Sequence, residues 1–179
     1  TDDFCGQLIS TIRCTVCNKT RSSFDPFYDI SLPFPGEGSN LHRRTSIFPS
    51  ILSGDLARCT LDDCLREFSK DEVLDGENMT ECSYCREKRV SVKTLQVFRF
   101  PRVLVIHLKR FGNSKKKVRT SVAFPMTNLD VGPLAHARLH SKGFNPIYDL
   151  YAAIDHSGRL NCGHYTASCV NLHSRSWYK

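Results

Sequence analysis

No apolar run in the chain approaches the roughly 18 residues that a membrane-spanning helix needs. The start, Thr1-Asp2-Asp3-Phe4, has neither the basic nor the apolar region of a secretory leader. No membrane partner is expected, and the location that follows is an intracellular, reducing one: cytoplasmic, nuclear or both. The chain has no need of disulfides there, since 179 residues at 40% apolar and 24% charged content are enough for a core. An odd number of cysteines, nine, also fits poorly with a closed disulfide framework. In a reducing compartment so many cysteines point to metal binding or thiol chemistry. The net charge of +7 argues only weakly for nucleic acid, because much of it sits in Lys115-Lys116-Lys117, which reads as a solvated loop. Basic residues are not interleaved with aromatics along one face, so a nucleic-acid-binding ribbon is the weakest reading and no nucleic-acid partner is expected.

Two cysteine pairs stand out. Cys14-Thr15-Val16-Cys17 and Cys82-Ser83-Tyr84-Cys85 are both Cys-x2-Cys knuckles. Each such pair closes a tight turn with both sulfurs on one side, and together they supply the four-sulfur set that Zn²⁺ prefers. Residues 18–81 between them exceed the ~15–20 of an ordinary ribbon, which implies a subdomain inserted between the knuckles. Four free cysteines in turns are the plainer alternative. A closed four-sulfur site leaves no position for water, so its expected part is structural.

Along the chain, Leu8 to Arg13 predicts a strand that delivers the first knuckle. Ser23 to Leu32 predicts an aromatic-rich strand interrupted by Pro26, a residue that belongs at an edge or bulge. Gly36 to Asp55 has no period and reads as a surface insertion. Thr60 is placed to cap a helix with Asp62 and Asp63 in its first turn. Leu61, Cys64, Leu65 and Phe68 fall on one face, which makes Cys64 a core residue. An acidic turn over Asp71 to Asn78 leads to the second knuckle, and Val90 to Phe98 predicts a long strand. Arg102 to Phe111 is apolar on consecutive residues, which predicts a strand covered on both faces in its first half, with His107 a hydrogen-bonded structural histidine. Gly112 to Lys117 reads as a basic loop, followed by a strand ending at Phe124-Pro125. Asn128 to Asn145 shows no clean period. Tyr148 to His156 predicts a strand, Ser157 to Gly163 a loop, and a last strand begins near Trp177. The fold class expected is α+β with a mostly antiparallel sheet.

The loop returns the chain to Gly163-His164-Tyr165 at the mouth of an alternating run of Tyr165, Ala167 and Cys169. A histidine there has its side chain fixed by a strand while the glycine leaves the backbone open to a ligand, as a catalytic base requires. On the triplet alone, the plainer reading is a histidine that ends a strand and hydrogen-bonds a neighbour.

Taken in order, Phe4-x-Gly6-Gln7, Cys14-x2-Cys17, Phe27-x-Asp29-x-Ser31-Leu32-Pro33, Cys82-x2-Cys85, Leu104-x-Ile106-His107-Leu108-Lys109-Arg110-Phe111, Tyr148-x-Leu150-x-Ala152, His156-x-Gly158 and Gly163-His164-Tyr165 resemble the ubiquitin-specific proteases. The similarity spans nearly the whole chain apart from 36–55. It implies a papain-like cysteine peptidase fold, described in that family as fingers, palm and thumb, and a deubiquitinase activity on the bond after ubiquitin's C-terminal glycine. It further implies one partial catalytic domain over 1–179. The zinc-bearing fingers would lie at about 8–35 and 71–98, an insertion at 36–57, a helix at 60–69 and the palm at about 99–179. By the same resemblance His164 is the general base, and Gly163 and Tyr165 line the channel for ubiquitin's diglycine tail. Cys14, Cys17, Cys82 and Cys85 hold structural Zn²⁺, and ubiquitin and ubiquitinated proteins are the partners. Gly112 to Lys117 and Ser157 to Cys162 match two loops that cover that tail in the family, and Phe24 to Tyr28 would grip ubiquitin's globular body.

Two family features have no counterpart here. No Asn-x-Cys box that would carry the nucleophile lies between Thr1 and Cys14, and the orienting Asp or Asn falls beyond Lys179. Cys5 has no matching role. Cys162 sits on the approach to His164 and Cys169 alternates to the opposite face, so neither is expected to replace the nucleophile. By this reading the 179 residues alone hydrolyse nothing, being part of an active deubiquitinase. The alternative is a catalytically inactive, zinc-stabilised ubiquitin-binding module.

Overall fold

The computed structural model describes residues 3–35, 59–111, 117–140, 146–159 and 162–179. The expected insertion at 36–57 lies outside them, as does most of the basic loop.

Strand β1 (Gly6–Cys14) pairs antiparallel with β2 (Thr20–Phe27), from Gly6 opposite Phe27 to Arg13 opposite Thr20. Gly6 has to be bare, because a Cβ would run into the Phe27 ring. Pro26 stands in β2 opposite Gln7, on the outer strand of a sheet ordered β2-β1 inward, where a missing N–H costs no ladder bond. The edge reading of Pro26 holds, but the strand runs through it. The break comes after Phe27, and β3 (Ile30–Leu32) leaves for a different sheet. Inward-facing Phe27, Ile30 and Leu32 are all buried, so both pieces are anchored in one core.

Next described are β4 (Cys59–Thr60) and helix α1 (Leu61–Phe68). Its capping box is complete. Thr60 Oγ1 accepts from the Asp63 N–H at 3.1 Å, and Asp63 Oδ2 accepts from the Thr60 N–H at 2.9 Å. Leu61, Cys64 and Leu65 are buried and Phe68 packs beside them, as the periodicity requires. Burial pushes the Cys64 thiol up to about 12, with Cys59 Sγ 3.6 Å away adding to the effect, so Cys64 behaves as a small apolar core group.

The stretch expected as an acidic turn contains β5 (Glu72–Leu74) and a 3-10 turn at Gly76–Asn78. Then β6 (Thr80–Cys82) and β7 (Glu87–Arg89) form a hairpin around the second knuckle. Strand β8 (Ser91–Arg99) completes the main sheet in the order β2-β1-β8-β5, all antiparallel.

The run from Arg102 to Phe111 departs from expectation. Only β9 (Ile106–Leu108) is strand, and it pairs parallel with β3. Val105 is 41% exposed and the run alternates half-buried with exposed residues, so it is not covered on both faces. The cause lies in a two-stranded sheet, in which β9 keeps one side toward the core and turns the other outward. His107 is hydrogen-bonded as expected, its Nδ1 lying 3.1 Å from Ser31 Oγ.

Beyond it, β10 (Val122–Ala123) pairs parallel with β4, and β11 (Leu129–Asp130) pairs antiparallel with β12 (Ile147–Tyr148). Between the last two lie a 3-10 turn at Gly132–Leu134 and a second short helix, Ala137–His140, which the sequence pattern does not mark. The core gathers Phe27, Ile30, Leu32, Phe34, Leu61, Leu65, Val97, Val131 and Leu134. The chain closes with β13 (Ala152–Arg159), β14 (Cys162–Val170) and β15 (Trp177–Tyr178), one antiparallel sheet in that order. The α+β, mostly antiparallel class is the one observed.

Candidate active site and metal centre

The main sheet and the β6–β7 hairpin each deliver one pair of cysteines. Cys14 ends β1 opposite Ser91, and Cys82 ends β6 at the mouth of the β6–β7 hairpin. The two knuckles are built alike. The Asn18 N–H donates to the Cys14 carbonyl at 3.0 Å and the Arg86 N–H to the Cys82 carbonyl at 2.7 Å. Asn18 and Arg86, each directly after its pair, both have φ of 56°, the left-handed turn that closes the knuckle. Asn tolerates that conformation, so Asn18 is readable from sequence; Arg86 carries no such signal.

All four sulfurs lie within 4.8 Å of one another, with Cys17 and Cys82 Sγ 3.6 Å apart. The backbone N–H groups of Cys17 and Val16 hold the Cys14 thiol down at about 7, the N–H of Cys85 lowers Cys82, and burial among the other thiols pushes Cys85 up to about 12. The turns thus favour thiolate, while four sulfurs this close cannot all ionise without a cation between them. The group can hold a metal ion.

The second candidate site lies on the β13–β14 hairpin. Ser157 pairs with His164, His156 with Tyr165, and Gly158 with Gly163. The expected loop from Ser157 to Gly163 is therefore mostly ladder, with only Leu160 and Asn161 outside the described residues. The two glycines account for the difference. A Cβ on Gly158 would lie 2.6 Å from the Gly163 Cα, so paired glycines let the strands continue into the turn. His164 consequently sits inside β14 and not at its mouth. Alternation puts Cys162, Thr166 and Ser168 on its face, with Asp155 and Ser157 across the ladder, and His156, Tyr165 and Cys169 on the other. His164 is exposed, and its carbonyl accepts from Ser157 Oγ at 3.5 Å.

The run of Tyr165, Ala167 and Cys169 is outward-facing rather than buried: Tyr165 is 66% exposed, and Ile154 on the same face 75%. Among the described residues, the core cluster takes none from β13, β14 or β15, so this hairpin projects from the core. Gly163 also has an internal reason to be bare. A Cβ there would overlap the His156 ring and come within 2.6 Å of the Ser157 carbonyl.

Two residues at this hairpin escaped the sequence reading. Lys117 was grouped with a solvated run, yet its Nζ lies 3.0 Å from His156 Nδ1 and 2.6 Å from the His156 carbonyl. His156 reads from sequence only as a strand end and part of a motif, yet its ring centre lies 4.6 Å from that of Tyr165. Nothing local marks a contact between residues so far apart in the chain.

Comparison with known proteins places this geometry. The chain is 38% identical to ubiquitin carboxyl-terminal hydrolase 2 of Rattus norvegicus, over 99% of its own length and 26% of that protein's. It is 40% identical to ubiquitin carboxyl-terminal hydrolase 21 of Mus musculus, over 94% of its length and 27% of that protein's. Among solved structures it resembles the SAGA Ubp8/Sgf11/Sus1/Sgf73 DUB module bound to ubiquitin aldehyde. The TM-score is 0.74 at 28% identity, over 97% of this chain and 35% of that one. The chain thus spans about a quarter to a third of these three proteins. A family profile described as ubiquitin carboxyl-terminal hydrolase covers residues 1–179, and the chain belongs to that family.

Proposed function

We propose that this chain forms the fingers and palm of a thiol-dependent ubiquitinyl hydrolase, with His164 as its general base. The exposed placement of His164, fixed by a strand yet open on its own face, carries the reading. An imidazole titrates near neutral pH, so it can take the proton of a thiol nucleophile brought to that face and later return it to the leaving amine. The ladder supports a third member. Cys169 faces Tyr178 and Val170 faces Trp177, so an in-register continuation of β15 past Lys179 brings residues onto the His164 face, opposite Thr166 and then His164. A carboxylate or amide there would hold the imidazole by its second nitrogen.

The exposed ring of Tyr165 would pack beside ubiquitin's C-terminal tail, with Gly163 leaving room next to it. Phe24, 49% exposed on β2, would meet the globular body. Cys14, Cys17, Cys82 and Cys85 would hold Zn²⁺, which ties the knuckle ends together and takes no part in proton transfer.

The test is hydrolysis of a ubiquitin C-terminal amide by a polypeptide carrying residues 1–179 with their flanking sequence. Cleavage at the bond after the terminal glycine is expected. Ubiquitin binding without any cleavage would instead support the non-catalytic module.

A further inference from the structure

Outside the proton-transfer face, the most elaborate contact at the hairpin is the one made by Lys117. We propose that Lys117 and His156 form a clasp that sets the backbone of Gly163-His164-Tyr165, making both of them positioning residues for His164. This rests on the hydrolase reading above and adds how the base is held.

The chemistry of the contact fixes one tautomer. An ammonium has three N–H donors and no lone pair, so the ring nitrogen 3.0 Å away, His156 Nδ1, has to be the acceptor. The ring hydrogen is then on Nε2. The same ammonium donates to the His156 carbonyl at 2.6 Å, which ties ring and backbone of one residue to a single cation. Phe111 backs this arrangement. It bridges to Lys117 across the chain, its ring lies 6.0 Å from Nζ, and it meets the His156 ring edge-on at 5.8 Å.

On its other side the ring is wedged against β14. Its Nε2 edge occupies the space a Cβ on Gly163 would need, and the Tyr165 ring lies 4.6 Å from it. Gly163 and Tyr165 are the two neighbours of His164, and the chain cannot shift at both without carrying His164 along. Lys117 therefore acts through His156 on the strand, from the face opposite the base. Since the hairpin takes no share in the buried core among the described residues, contacts of this kind contribute to fixing it.

The test has two arms. In the polypeptide carrying residues 1–179 with their flanking sequence, nitrogen-15 spectra of His156 at neutral pH should show one tautomer, protonated on Nε2, and Lys117→Met should return a mixture. In the flanked polypeptide, Lys117→Met should lower kcat for a ubiquitin C-terminal amide about 10- to 100-fold with KM changed less than about threefold, the signature of a misplaced catalytic group. Lys117→Arg, which restores a donor, should recover part of the loss. A mixed tautomer in the unsubstituted chain overturns the clasp, even if Lys117→Met fails to fold. So does a kcat in Lys117→Met within about twofold of normal. If the flanked polypeptide cleaves nothing, the hydrolase reading fails, while the tautomer arm still decides the clasp.

Discussion

Asp63 shows how much a single side chain does at a helix start. It accepts from the Thr60 hydroxyl at 2.6 Å and from the Thr60 N–H at 2.9 Å, and these bonds hold its carboxyl below the usual range. Arg66 adds a smaller push in the same direction. A carboxyl whose pKa is lower folded than unfolded stabilises above about pH 4, and that contribution is lost as pH falls through the folded value. Asp63→Asn is expected to cost about 0.3–1 kcal/mol at pH 7, the worth of a first-turn carboxylate at a helix N-terminus. In urea unfolding at a series of pH values, its gap to the parent chain should close on the acid side. A gap constant from pH 7 to about pH 3 would remove the linkage. Thr60 was legible as the cap and Asp63 as an acidic first-turn residue, because both signals are local; the reciprocal bond from the Thr60 N–H to Asp63 is what the structure adds. The Lys117–His156 contact was not legible, because a sequence puts no mark on two residues that meet only through a hairpin.

At the scale of elements, the main sheet joins the metal site to the core. Strand β8 runs from Ser91, opposite Cys14, to Arg99, roughly 27 Å at ~3.4 Å per residue, and enters the core at Val97. Order at the knuckles is therefore an end condition on a long, narrow sheet whose inner strands are only partly buried. One tightly held zinc per chain is expected, and Cys82→Ser should abolish its retention and lower the unfolding temperature by several degrees. Metal analysis showing no zinc in the purified chain, or an unchanged melting curve for Cys82→Ser, would contradict this. Element types followed from pattern where strands were long: β1 and β8 were found nearly to their ends. Of the strands two or three residues long, β5 to β7 were missed, since so few residues show no period, although β15 begins at Trp177 as expected. The run at Val103 to Ile106 misled for another reason. Consecutive apolar residues do mark a doubly covered strand in a large parallel sheet, but this one has a single pairing partner.

Taken whole, the molecule keeps its buried core under β3, β8 and α1 and sets its candidate chemistry outside it. The metal knuckles cap one end of the main sheet, and the His164 hairpin projects as a separate three-stranded sheet with Ile154, Tyr165 and Tyr178 exposed. Family membership was legible from ordered motifs spread along the chain, which sample every part of the fold at once. The reason for the glycines was not. Gly163 is kept bare by its own neighbours as well as by any ligand. The account stands or falls on the imidazole of His164. In the flanked polypeptide saturated with a ubiquitin C-terminal amide, His164→Ala should reduce turnover at least about 1000-fold, with the ubiquitin Kd within about threefold of the parent. Turnover within a few-fold of the parent in the alanine variant would contradict it.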